Sequence, residues 1–136
     1  MNINISNYLT GLTNMASEWS SNMGPSYVDA ICFKEKDYKK EISKYYNVSI
    51  ESIDFKETSF TFKDFLANWF GNNDKLIDSL IYYIAQALGD AIFVYELSNN
   101  SNLTNELTDT GFYFIEDLYL IMFKEYVVLF ILGNNE

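Results

Sequence analysis

Apolar residues follow one another almost without interruption near the end of the chain, from Gly111 to Gly133. Two charged pairs, Glu116 with Asp117 and Lys124 with Glu125, divide this stretch into three runs at residues 112–115, 118–123 and 126–132. Aromatic and β-branched residues fill the runs and are typical of strands. A two-residue connection can join antiparallel strands but not parallel ones. The pattern therefore predicts a β-meander that reverses at both charged pairs.

The two longer runs are apolar at every position rather than at every second position. A strand that is half exposed to water alternates apolar and polar residues. Runs 118–123 and 126–132 do not alternate, so both faces of the predicted sheet are expected to be buried. Upstream helices are expected to cover one face. A chain of this length is not expected to cover the second face completely, and a partner is one candidate for covering the remainder.

Most of the chain before the meander has the spacing of helices. Helices are predicted at residues 6–20, 26–46, 63–70 and 74–88, of which the last is the clearest. In that helix Asn73 is the expected N-cap and Gly89 the expected stop. Residues 47–62 favour a turn and a short edge strand, and residues 91–97 favour a first strand of the sheet. Residues 98–110 are predicted to be a polar loop, either a binding loop or a merely flexible one.

These elements predict a single α+β domain over residues 1–136. Three or four helices in residues 1–88 are expected to pack on a C-terminal, mainly antiparallel β-meander of four to five strands. The meander's charged pairs leave apolar runs too short to span a membrane, so no transmembrane helix is expected. The N-terminal residues lack the basic and apolar regions of a secretory signal. A cytoplasmic protein is therefore expected.

The composition excludes many kinds of catalysis. The chain has no histidine and no arginine, and Cys32 is its single cysteine. Cysteine–histidine metal sites and serine–histidine triads are therefore impossible, and no arginine can bind phosphate in a bidentate manner. Carboxylates remain, but Glu116 and Asp117 are adjacent and do not resemble an acid and base held across a substrate. We expect a protein that is not an enzyme and needs neither cofactor nor metal.

Negative charge is concentrated in the second half of the chain. The net charge is -10, and residues 64–136 hold eleven acidic side chains but only Lys75 and Lys124. A field of this sign repels nucleic acid and anionic lipid and accelerates encounter with basic proteins. The lysines of residues 34–56 alternate with acidic residues, which favours a solvated helix over a nucleic-acid face. Recognition of a basic protein and solubility alone both remain open as reasons for the charge.

The C-terminal sequence FYFIEDLYLIMFKEYVVLFILGNNE resembles the ends of small acidic bacterial immunity proteins of contact-dependent growth inhibition systems. The features that carry the resemblance are Phe-x-Phe-Ile-Glu-Asp, then Tyr-x-x-x-Phe, then an apolar strand that closes in Gly-Asn-Asn-Glu. The match covers about the last 25 residues. The resemblance implies a protein that binds one cognate toxin domain in the cytoplasm, often a nuclease, and blocks its active site or its access to substrate.

Two functions are compared on this basis. The first is neutralisation of a toxin domain by a monomer or weak homodimer, either through an acidic surface that occludes a basic cleft or through strand addition at an exposed edge, residues 91–97 or 126–132. The alternative is a self-associating or scaffold protein that pairs through its apolar sheet. Candidate toxin contacts are chosen for charge, aromatic character and expected exposure, and they are Glu96, Glu106, Asp109, Glu116, Asp117, Tyr95 and Tyr113.

Overall fold

The computed structural model describes residues 1–20 and 24–134, which form a five-stranded antiparallel sheet with helices on both faces. This confirms the predicted α+β class. The strands lie in the order β1-β5-β4-β3-β2. In chain order the elements are α1 (Ile3–Trp19), β1 (Tyr27–Lys34), α2 (Tyr38–Tyr46), a 3-10 turn (Ile50–Ser52), β2 (Phe55–Glu57), α3 (Phe62–Phe70), α4 (Asp74–Leu88), β3 (Phe93–Leu97), α5 (Leu103–Asp109), β4 (Ile115–Met122) and β5 (Tyr126–Gly133).

Helix α4 has the bounds that its sequence predicts. The Asn73 side chain accepts a hydrogen bond from the backbone of Leu76 at 3.2 Å, which satisfies one of the free N–H groups of the first turn. Gly89 ends the helix with φ of 78°, a conformation that glycine adopts without steric cost. The apolar stripe of α4 packs on one face of the sheet, as expected.

The prediction of a helix over residues 26–46 is wrong in its first half. Residues 27–34 form strand β1, which pairs along its whole length with β5. Val28, Ala30 and Cys32 point to one face, and Ile31 and Phe33 to the other, and all five are buried. A strand buried on both faces has no alternation, so its apolar run cannot be distinguished from a helix by periodicity alone.

The predicted meander is right at one reversal and wrong at the other. Lys124 and Glu125 form the tight turn between β4 and β5, closed by a hydrogen bond of 2.8 Å from Phe123 N to Tyr126 O. Glu116 and Asp117 do not form a turn but lie within β4, where a bulge shifts the register between Ile115 and Asp117. A bulge accommodates an extra residue in a continuing strand. Residues 112–114 precede β4 and are not a strand.

Both faces of the sheet are buried by the chain itself. The first face packs against α1, α3 and α4, and the second face packs against α2, the 3-10 turn and α5. The segment predicted as a polar loop, residues 98–110, contains α5, whose Leu103 and Leu107 are fully buried on the second face. Leu129 and Ile131 of β5 are fully buried there as well. A partner is therefore not needed to cover this face.

The edges of the sheet differ from the two edges that were predicted. Both β3 and β5 lie inside the sheet, and the edge strands are β1 and β2. The short edge strand expected in residues 47–62 is confirmed as β2, and it is three residues long. Its central residue is Lys56, and a short edge strand that carries a lysine is poorly suited to pairing with a further strand. Strand addition at 91–97 or 126–132 is thus blocked by neighbouring strands.

Helix α1 closes the other edge with side chains instead of a strand. It begins at Ile3, earlier than predicted, with Asn2 as its N-cap. Ser6, Thr10 and Asn14 are spaced four residues apart and lie on one side of the helix. They make hydrogen bonds to the outward backbone groups of Cys32, Ala30 and Val28, respectively. Side chains of α1 thereby supply the hydrogen bonds that a further strand would otherwise make to the outer edge of β1.

Five residues of the chain lie outside the part that the structure describes. Asn135 and Glu136, which close the C-terminal motif, lie outside the described residues. The same holds for residues 21–23, which follow α1. Among the helices of the described part, none is both long and apolar enough to cross a bilayer.

Candidate functional site

One end of the sheet brings together the termini of all five strands and most of the predicted site residues. At this end β1, β2 and β4 begin and β3 and β5 end, because neighbouring strands are antiparallel. Gly133 is the partner of both Tyr27 and Ile115, and Leu97 is the partner of Phe55. The connections here are residues 24–26, 47–54 and 98–114. We call this region, residues 24–29, 47–56 and 95–117, the acidic end.

The charge of the two ends of the sheet is very different. The acidic end contains one lysine, Lys56, and eight carboxylates: Asp29, Glu51, Asp54, Glu96, Glu106, Asp109, Glu116 and Asp117. The opposite end, residues 34–41, 57–63, 88–93 and 122–126, contains six lysines and six carboxylates. The chain therefore has an anionic end and an electrically balanced end, an arrangement that steers a basic partner to one side.

Few of these carboxylates are neutralised by lysine. In the part of the chain that the structure describes, two lysine–carboxylate pairs lie within 4.0 Å, and only Lys56–Glu96, at 3.4 Å, belongs to the acidic end. Both members of that pair are partly exposed, so water weakens their attraction. Glu51, Asp54, Asp109 and Glu116 are exposed. The free negative charge of the acidic end is carried by these four side chains.

Glu96 of β3 and Asp117 of β4 lie on neighbouring strands, close enough for the charge of Glu96 to affect Asp117. Glu96 of β3 is the cross-strand partner of Tyr119 of β4, whose ring is 6.2 Å from that of Trp69. Burial raises the pKa of Asp117, opposed by a hydrogen bond from the Leu118 N–H, and the charges of Glu96 and Glu116 raise it further. Mutual repulsion of this kind makes a site that favours an incoming cation.

Glu106 has a structural role. Its Oε1 accepts hydrogen bonds from the backbone N–H and the hydroxyl of Ser49, at 2.9 and 2.7 Å. Hydrogen bonds from the Ser52 and Ser49 side chains and from the Ser49 backbone lower the pKa of Glu106. The carboxylate thus holds α5 against the start of the 3-10 turn. Its contribution to a binding surface is indirect, through the position of α5.

Asp29 is also engaged inside the fold. It is half-buried in β1, and the hydroxyl of Tyr46 donates to its Oδ2 at 3.2 Å. Burial raises the pKa of Asp29, and the hydrogen bond from Tyr46 opposes that rise. Burial also raises the pKa of Tyr46. This hydrogen bond connects α2 to β1. Asp29 is a partly buried carboxylate of the acidic end.

Two exposed aromatic residues stand beside the free carboxylates. Tyr113 and Phe114 are 70% and 61% exposed. Phe114 has φ of 56°, which is uncommon for a bulky residue, and its carbonyl accepts a hydrogen bond from Asn134 N. Such outliers cluster at binding sites. Tyr95, by contrast, packs against the buried cluster of the second face. Of the candidate contacts, Asp109, Glu116 and Tyr113 are the most accessible.

The chemical groups available at the acidic end include carboxylates and aromatic rings. Among residues 1–20 and 24–134, no group of three or more cysteine, aspartate or glutamate side chains could hold a metal ion. Burial raises the pKa of the Cys32 thiol to about 12, so it forms very little thiolate at neutral pH. What the arrangement can do chemically is attract cations and pack against a surface through aromatic rings.

Some members of the acidic end could not be selected from the sequence. Glu51, Asp54 and Phe114 are exposed there, and Asp29 supports it, yet none was among the predicted contacts. Three of these four precede the acidic second half of the chain. They are placed here because β1 and β2 join the sheet that the second half builds.

Comparisons with models of protein families, with curated proteins and with solved structures found no match.

Proposed function

We propose that this protein is an immunity protein that binds a basic bacterial toxin domain through its acidic end and thereby blocks the toxin's active site. The observation that carries the proposal is the uneven charge of the fold. Eight carboxylates meet one lysine at the acidic end, whereas the opposite end is balanced. The C-terminal resemblance to immunity proteins of contact-dependent growth inhibition systems agrees with this function.

A nuclease is the toxin class that best complements such a surface. A nuclease cleft must be basic because it binds phosphates, so an anionic protein surface can occupy it in place of the substrate. Asp54, Asp109 and Glu116 are exposed and can meet lysine or arginine side chains of the toxin. Tyr113 and Phe114 can supply apolar contact area at low cost in side-chain entropy. Charge then sets the rate of encounter and the rings contribute to the lifetime of the complex.

Inhibition by occupation requires no chemistry from this chain. We propose that the protein is not an enzyme and acts in the cytoplasm, where a nuclease toxin meets its substrate. The anionic surface disfavours binding to nucleic acid itself, so the toxin domain is the proposed partner. The alternative, self-association through the apolar sheet, lacks an exposed face to pair through, because helices of the same chain cover both faces.

Protection of growing cells tests the proposal. The product of the neighbouring reading frame, where this proposal expects the cognate toxin domain, is expressed under an inducible promoter, together with the wild-type protein or with one of two double variants. Asp109→Lys with Glu116→Lys reverses two exposed charges at the acidic end. Glu35→Lys with Glu125→Lys reverses two exposed charges at the opposite end and changes the net charge equally.

The two variants are expected to behave differently. The acidic-end variant should lose protection, and the matched variant should protect as well as the wild type, because only the first removes the attractive surface. Equal loss in both variants would mean that overall charge, and not the acidic end, controls recognition. Full protection by both would refute the proposed surface.

A further inference from the structure

Helices α1 and α4 form a groove on the side of the molecule that faces away from the sheet. They are antiparallel, since the start of α1 lies beside the end of α4 and the end of α1 beside the start of α4. Two hollows of about 450 and 330 Å³ follow the groove and share Tyr83. We call the surface that lines them the α1–α4 groove. Residues that line it include Tyr8, Met15 and Trp19 of α1 and Lys75, Tyr83 and Gln86 of α4.

The rim of the α1–α4 groove exposes large apolar side chains. Trp19 is 70% exposed and Tyr83 is 49% exposed, and Tyr8 and Met15 are exposed as well. Tyr82 stands edge-on against Tyr83 with ring centroids 5.5 Å apart. Aromatic side chains bury roughly 150–250 Å² each, so these five residues expose on the order of 500 Å² of mostly apolar surface. A patch of this size is at the upper end of what monomeric proteins leave uncovered.

The α1–α4 groove also lacks the negative charge that is common elsewhere on the chain. Among the described residues that line the two hollows, Lys75 is the only charged one and none is a carboxylate. A basic partner would find nothing there to pair with, and an acidic partner would find one lysine. The surface that matches a nearly neutral, apolar face rimmed with tyrosine is another face of the same kind.

We infer that the α1–α4 groove is the interface at which two copies of this chain associate. Two molecules of net charge -10 repel each other through most surfaces, but no described carboxylate lines the hollows of this groove. The exposed apolar side chains alone offer on the order of 500 Å², more than half of the roughly 800 Å² per partner that a standard interface buries. The association buries apolar surface, and the hollows that it closes are lined by no described carboxylate.

Two-fold symmetry accommodates the single charge of the groove. An axis perpendicular to the helices sets the Lys75 end of one copy against the Asn4 and Gln86 end of the other. The two lysines then stay apart, and amide oxygens are available to each ammonium group. Four helices, two from each copy, form the interface. This inference does not rest on the proposed function, because the groove excludes the exposed carboxylates of the acidic end.

Sedimentation velocity of the full chain over about two decades of concentration tests the inference. The wild type is expected to shift from monomer to dimer as concentration rises. Tyr83→Glu introduces a carboxylate at the centre of the groove and should weaken association about tenfold or more, because each copy would bury an unpaired charge. Ile50→Glu, at a site of similar exposure on the opposite face of the sheet, should leave association unchanged. Circular dichroism verifies that both variants are folded.

A second measurement reads the groove directly in the folded protein. The chain has two tryptophans, and Trp69→Phe leaves Trp19 as the only one. Dimerisation should move the emission of Trp19 to shorter wavelength as concentration rises, because its ring leaves water. A monomer at every concentration, a dimer that Tyr83→Glu leaves intact, or emission independent of concentration in a dimerising sample would each overturn the inference.

Discussion

Replacing Asn14 by alanine is expected to destabilise the protein because it opens the edge of β1. The Asn14 amide makes two hydrogen bonds to Val28, donating from Nδ2 to the carbonyl at 2.7 Å and accepting at Oδ1 from the N–H at 2.9 Å. Val28 is buried, so its backbone groups have little access to water once the amide is removed. The edge strand would carry an unpaired donor and an unpaired acceptor.

The size of the effect follows from these two contacts. A net contribution of about 1 kcal/mol for each hydrogen bond gives about 2 kcal/mol. Alanine is the better helix former, by about 0.5 kcal/mol, and offsets part of that loss. Asn14→Ala should therefore lower the free energy of unfolding by about 1.5 kcal/mol. With a urea m-value of about 2 kcal/mol/M, the midpoint falls by about 0.7 M.

Urea unfolding followed by circular dichroism measures this shift, and Asn7→Ala is the matched control. Asn7 lies in the same helix but is exposed to water, so this variant gains the helix propensity of alanine without opening the edge. The two variants should differ by about 2 kcal/mol, a difference from which the propensity term cancels. Midpoints that agree within about 0.2 M would refute the claim that Asn14 holds the edge of β1.

Three further predictions concern the core and two carboxylates that accept hydrogen bonds within the chain, Asp29 and Glu106. Leu129→Ala should lower the free energy of unfolding in urea by about 2–5 kcal/mol, since Leu129 is fully buried; a loss below about 1 kcal/mol would mean that the second face is loosely packed. Because burial raises the pKa of Asp29 above its ordinary 3.8, wild-type stability declines as pH rises through the raised pKa. Asp29→Asn should therefore gain stability relative to wild type between about pH 4 and neutrality, and parallel pH profiles in thermal unfolding would contradict this. Because the pKa of Glu106 is lowered, its contribution is present above the ordinary value of 4.5 and is lost as pH falls through the lowered pKa. Glu106→Gln should be less stable than wild type at neutral pH and converge with it in acid, whereas a constant difference would argue against ionic capping by Glu106.

Elements with local signals could be predicted from the sequence. Helix α4 has an N-cap at Asn73, a stop at Gly89 and an apolar stripe between them, and its predicted bounds agree with the structure. The turn at Lys124 and Glu125 was likewise predicted correctly, because this charged pair separates two apolar runs. In both cases the residues that decide the structure lie within the element or next to it.

Elements that depend on distant partners could not be predicted. Strand β1 looks helical because its residues are apolar on both sides, and only pairing with β5, almost a hundred residues later, makes it a strand. Helix α5 has seven residues, and its two buried residues are Leu103 and Leu107. Their role can be recognised only from the structure, where both pack into the apolar cluster of the second face. Short polar helices of this kind gain their stability from packing.

The charge of the site was predicted in part. The sequence indicates an excess of carboxylates after residue 64, and Asp109 and Glu116 are indeed exposed. It does not indicate that Asp54, from the first half, reaches the same end, since that depends on the position of β2 in the sheet. Nor does it reveal that the Glu106 carboxylate accepts hydrogen bonds from Ser49.

The central proposal is tested most directly by calorimetry over a series of salt concentrations. The quantity measured is the affinity of the wild-type protein for the product of the neighbouring reading frame, where the proposal expects the cognate toxin domain. Recognition through exposed carboxylates predicts that the dissociation constant rises steeply with salt, since exposed charges are screened beyond about 10 Å at 0.1 M. The variant Asp109→Lys with Glu116→Lys should bind more weakly and with a shallower salt dependence. Absence of binding, or an affinity that salt does not change, would contradict the account.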